Sequence, residues 1–106
     1  ALLENEVAVA LRDVYGDDLH YLKSRKHGID IDFFLPEAKC AVQVAHSIAG
    51  SARKREIENL AKLHRLSPEV ERLIIVTKEE EELVEVEDGT IEVIPVWKFL
   101  LQLSAE

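Results

Sequence analysis

Asp30 and Asp32, in IDIDFFL, and Gln43, in CAVQV, place polar side chains on segments whose other residues are apolar or β-branched. Carboxylate and amide oxygens, joined by a nearby backbone carbonyl, are hard ligands of the kind that suit Mg²⁺ or Mn²⁺. A further acid, Glu6, stands three residues after Leu3 and four before Ala10 in an N-terminal helical pattern. That spacing sets it at the border of an apolar stripe, within reach of the same face. Spacing alone has a simpler account too, in which the two aspartates line a solvated sheet surface and Glu6 is an acid on a helix rim.

The elements that must position these residues follow from apolar period. Leu3, Val7, Ala10, Leu11 and Val14 recur at helical spacing, so a first helix runs to just before Gly16. Residues 19–24 read as a strand, and Lys26-His27-Gly28 turns the chain into a second strand over 30–35, closed by Pro36; a third covers 41–46. Alternation puts Ile31, Phe33 and Leu35 on one face of the second strand and Asp30, Asp32 and Phe34 on the other. If the second and third strands are antiparallel neighbours, Asp32 and Gln43 meet. Ile57, Leu60, Ala61 and His64 define a second helix over 52–66, stopped by Ser67 and Pro68. The unbroken run RLIIVT, 72–77, predicts a central parallel strand covered on both faces. Alternation on both sides of Asp88-Gly89 predicts a hairpin leading into a strand at 91–94, and Val96, Phe99, Leu100 and Leu103 a terminal helix. The order calls for an α/β fold: a mixed sheet with helices on both faces.

At 106 residues the chain makes one domain, 1–106, and 47% hydrophobic with 32% charged residues is an ordinary globular composition. No apolar run approaches the roughly 20 residues of a membrane span, and the acidic start is unlike a signal peptide, so a cytoplasmic location is expected. The absence of methionine and the immediate helical start lead us to expect a piece of a longer chain. The net charge of −8 disfavours tight autonomous nucleic-acid binding, which is driven by cations displacing counterions from phosphates. Arg53, Lys54 and Arg55 form the one basic cluster, offset by Glu56 and Glu58. Cys40 has no disulfide partner and reads as a buried small apolar residue; His20, His27, His46 and His64 lack zinc-site spacing. There is no Gly-rich phosphate loop and no nucleophile elbow, and Trp97 with Phe99 reads as helix packing.

LLENEVAVALRD, YLKSRKHGIDIDFFLP, VQVAHS, RKREIENL, LIIVT and IEVIPVWKFLLQL, in that order and spacing, together resemble the C-terminal restriction-endonuclease-like domain, of the PD-(D/E)xK superfamily, found on archaeal-type and bacterial AAA-superfamily ATPases. The resemblance spans nearly the whole chain. It implies a three-layer α/β/α fold opening on a helix, and it implies that nucleolytic members hold Mg²⁺ between a helix glutamate, a strand aspartate and a Glu-x-Lys pair. Carried over, Glu6 matches the helix acid, Asp32 the strand acid, Gln43 the glutamate and Ala45 the lysine. Amide in place of carboxylate removes a ligand charge, and alanine in place of lysine removes the cation that stabilises charge on the phosphorane. Lys23, Lys39 or Lys54 could supply a relocated ammonium, though spacing singles out none of them.

The expectation is therefore a catalytically degenerate module, not an enzyme in its own right, serving as an accessory or interaction domain. The resemblance implies an upstream ATPase domain of the same chain as partner, with ATP bound there, no cofactor here, and at most weak Mg²⁺ binding by Glu6, Asp32 and Gln43. Alternatives are an active divalent-metal nuclease with a displaced lysine and a scaffold that dimerises through its sheet edge.

Overall fold

The computed structural model describes residues 2–106. Helix α1 spans Leu2–Tyr15 and gives way, through a single 3₁₀ turn at Gly16–Asp18, to strand β1, His20–Ser24. Strands β2, Ile29–Leu35, and β3, Cys40–Val44, follow, then helix α2, Ser51–Leu66, and strand β4, Arg72–Thr77. Strands β5, Glu82–Val86, and β6, Gly89–Pro95, lead into helix α3, Val96–Ser104. The six strands form one mixed sheet in the order β1-β2-β3-β4-β6-β5. β4 lies parallel to both β3 and β6, so the β-branched run is an interior strand with parallel neighbours on both sides, as its composition suggests. The hairpin closes on Glu87 and Asp88, with Val86 opposite Gly89, one residue earlier than the Asp88-Gly89 signal suggests.

Alternation along β4 divides the core in two. Ile74 and Val76 join a cluster with Val7 and Leu11 of α1 and Phe99 and Leu103 of α3. Leu73 and Ile75 join a second cluster with Leu60 and Leu63 of α2. Each helix thus buries one apolar stripe against the sheet, the usual source of helix stability in a small domain. No helix among the described residues is long and apolar enough to cross a membrane.

One expectation about faces fails, in β2. Ile29 and Ile31 belong to the α2-side cluster while Phe33 and Leu35 belong to the cluster of α1 and α3, although all four share sequence parity. The pairing with β1 explains it: His20 is opposite Phe34 but Leu22 is opposite Ile31, so Tyr21 faces two residues, Asp32 and Phe33. One extra residue in a strand switches the facing of everything beyond it. Strand β3 is also shorter than expected, ending at Val44 instead of 46, although the Ala45 N–H still donates to the Val76 carbonyl at 3.0 Å.

Candidate functional site

Asp32 therefore sits at an irregularity, and it sits there opposite Gln43. β2 and β3 pair from Leu35–Cys40 to Phe33–Val42 and then part. Beyond that point side chains replace the backbone ladder. The Asp32 N–H donates to Gln43 Oε1 at 2.7 Å, and the Val44 N–H donates to Asp32 Oδ2 at 2.8 Å. Two backbone donors that the parting strands would leave unpaired are thus satisfied, each by a side chain from the opposite strand.

Helix α2 closes the same fork from above. Its apolar stripe of Ile57, Leu60 and Leu63 lies on the sheet, which brings the flanking residues Glu56 and Asn59 to the open end of β2 and β3. Gln43 Nε2 donates to Glu56 Oε1 at 2.8 Å. Asn59 clamps Asp30 with both ends of its amide, accepting from the Asp30 N–H at 2.9 Å and donating to its carbonyl. The start of α2 is held in turn by Glu80, whose carboxylate accepts from the Ser47 hydroxyl and the Ile48 N–H.

A cavity of about 500 Å³ opens over this fork, walled by Asp30, Asp32, Gln43, Glu4, Glu56 and, from α2, Lys54, Arg55, Asn59 and Lys62. Gln43 is buried to 3% exposure, whereas Asp32 is only half-buried. Burial pushes the Asp32 carboxyl up to about 6; the Val44 N–H opposes the rise, and the negative charges of Glu4, Glu56 and Asp30 add to it. An acid so raised among other acids, in a cavity, is the pattern of a functional site.

Two sequence expectations are corrected here. Glu6 does not join the site: it is exposed and borders hollows elsewhere on α1, and Glu4 lines the cavity in its place. Val7 and Leu11 are the buried centre of the helix, and Glu4 precedes them by three and seven residues, on their face. Glu6, one residue before Val7, is turned about 100° away. Ala45 lies beside the α2-side cluster and is not part of the cavity wall. Of the three lysines considered for a displaced ammonium, only Lys54 lines the cavity. Lys39 is in the β2–β3 turn with φ of 56°, where its carbonyl accepts from Glu71 and Arg72, and Lys23 lies on edge strand β1 opposite Asp30.

Glu4, Glu56, Asn59 and Lys62 were missed by motif spacing. A signal for Glu56 and Asn59 exists in the flank they form beside the Ile57–Leu60 stripe. Both ends of the Gln43 amide and one Asp32 oxygen are already hydrogen-bonded within the protein. Among the described residues no group of three or more His, Cys, Asp or Glu side chains is placed to hold a metal ion.

No protein-family model matches the chain, and no curated protein or solved structure matches it.

Proposed function

We propose that this domain is a nuclease-like module that has lost its chemistry and acts as an accessory or interaction domain, attached in its parent chain to a cytoplasmic AAA-type ATPase. The observation that carries the reading is the state of Gln43. Its amide bridges Asp32 and Glu56, so the position that a metal-binding carboxylate would occupy instead staples β2 to β3 and α2. With alanine at 45 there is also no cation on that strand to stabilise a pentacoordinate phosphate. What remains is a polar joint in a fold whose order of elements resembles the nuclease superfamily.

Metal binding tests this reading. A ligand that binds the native state raises stability by RT ln(1 + [L]/Kd), so a weak site shifts the midpoint hardly at all. Mg²⁺ at millimolar concentration should move the thermal midpoint by less than about 1 °C, given that about 1 kcal/mol corresponds to 4–8 °C in a domain of this size. A saturable rise of several degrees, abolished by Asp32→Asn, would show a working metal site.

A second reading has one observation in its favour. Lys54 lines the same cavity as Asp32 and Glu56 and makes no ion pair among the described residues, so it is placed to serve as the displaced ammonium of an active nuclease. Metal-dependent cleavage lost on Lys54→Ala would establish that reading in place of the first.

A further inference from the structure

The outer face of α1 and α3 carries apolar side chains that nothing in the domain covers. Leu2 is 82% exposed, Val9 56%, Trp97 59% and Leu101 62%. α1 and α3 run side by side in the same direction: Leu2 and Val96 wall one hollow at their starts, and the Tyr15 hydroxyl donates to the Glu106 carboxylate at 2.8 Å near their ends. Between them lies an open groove of about 520 Å³ lined by apolar Leu2, Val9, Ala10 and Leu100 and by polar Asn5, Glu6 and Asp13. No cation among the described residues lines it. Lys98, the lysine of α3, is turned to Glu81 instead.

We infer that this groove docks a cationic amphipathic helix of a partner segment. Three features select that occupant. The groove follows α1 from Leu2 to Asp13, about 16 Å at 1.5 Å rise per residue, the length of a short helix. Apolar lining residues at one-heptad spacing, Leu2 and Val9, suit the i, i+3, i+4, i+7 anchors of a helix laid in a groove. Both charged residues of the lining, Glu6 and Asp13, are acidic, in a chain of net charge −8, so lysines or arginines beside the partner's apolar stripe meet complementary charge. A second copy of this domain is disfavoured by the same acids, because a two-fold pairing through this face would bring the Glu6 and Asp13 carboxylates of both copies into one interface.

The inference deepens the interaction-module reading and rests on it. Its readout is separate from metal binding and cleavage, so either can fail alone.

The probe is a synthetic leucine–lysine amphipathic peptide of about four helical turns, titrated into the domain while Trp97 fluorescence and backbone amide resonances are followed. The expected result is a blue shift of Trp97 and resonance changes confined to α1 and α3. Val9→Asp should weaken binding about tenfold, and Glu6→Lys with Asp13→Lys about fivefold. Glu79→Lys with Glu87→Lys, which alters net charge equally at exposed sites elsewhere, should leave affinity unchanged. Absence of binding, perturbation centred on other elements, or equal weakening by the two charge-reversed pairs would overturn the inference. So would a dimer of the unmodified chain that Val9→Asp dissolves, which would give the face to a second copy.

Discussion

Ionised Asp32 stands among Glu4, Asp30 and Glu56 without an ion-pair partner among the described residues, and its one protein donor through the side chain is the Val44 N–H. Its folded-state value of about 6 lies above the ordinary 3.8, so the native state binds the proton more tightly than the unfolded chain does. The contribution of this group to stability is therefore greatest below about pH 4 and is lost as pH rises through about 6. Asp32→Asn keeps an oxygen for Val44 and removes the charge. It should stabilise the domain at pH 7–8 by about 1 kcal/mol, allowing for partial exposure of the carboxyl, and the gain should vanish below pH 4. Urea denaturation of both proteins across that range checks it; destabilisation at pH 8 would mean that the charge itself holds the fork together. Asp32 and Gln43 were legible as a pair, since strand period and an antiparallel turn put them opposite each other. Glu4 was not, because an apolar stripe broad enough to include Leu3 and Ala10 does not reveal that Val7 and Leu11 are its centre. Glu56 was read as an offset to neighbouring bases, and only the packing of α2 shows that it holds Gln43.

At the scale of elements, helices and strands could be read to within about two residues, because most have a single dominant period and several, among them α1, α2, β2 and α3, have a Gly, Pro or Ser boundary. The extra residue in β2 was not legible: alternation in IDIDFFL gives way to the apolar run Phe33-Phe34-Leu35, which marks no bulge position, and the switch of faces at Asp32-Phe33 follows from how β1 pairs with it. That irregularity aims Asp32 into the cavity, in keeping with the tendency of bulges to re-aim side chains beside functional sites. His64 shows the converse case. It stands in the sequence as one of the positions that define the helical stripe, and its two ring nitrogens lie 2.9 Å from the Val70 carbonyl and 3.1 Å from that of Asp88. One side chain of α2 thus sits against both the approach to β4 and the β5–β6 turn, and a neutral imidazole, with its one N–H, donates to one of the two carbonyls at a time. Its removal by His64→Ala should cost about 1 kcal/mol of stability, the worth of one such bond. Amide exchange at Gly89 and Thr90 should speed up more than at β4; an unchanged exchange pattern would show that the hairpin needs no such pin.

For the whole molecule, the charge balance and the site point the same way. Three of the 13 lysines and arginines are held in close ion pairs: Arg53 with Glu82, Arg72 with Glu92 and Lys98 with Glu81. At the cavity, Lys54, Arg55 and Lys62 remain, and Arg55 lies 3.8 Å from Glu56. Three phosphate contacts would give a salt slope of only about −3 and weak binding at physiological ionic strength. A polyanion would also have to approach the carboxylates of Glu4, Asp30, Asp32 and Glu56. The central claim, that the fold persists after the loss of its hydrolytic chemistry, is tested most directly by a cleavage assay. The unmodified chain and Asp32→Ala are incubated with single- and double-stranded DNA and with RNA, in Mg²⁺ and in Mn²⁺. The account predicts no cleavage by either protein in any combination; cleavage by the unmodified chain that disappears in Asp32→Ala would contradict it.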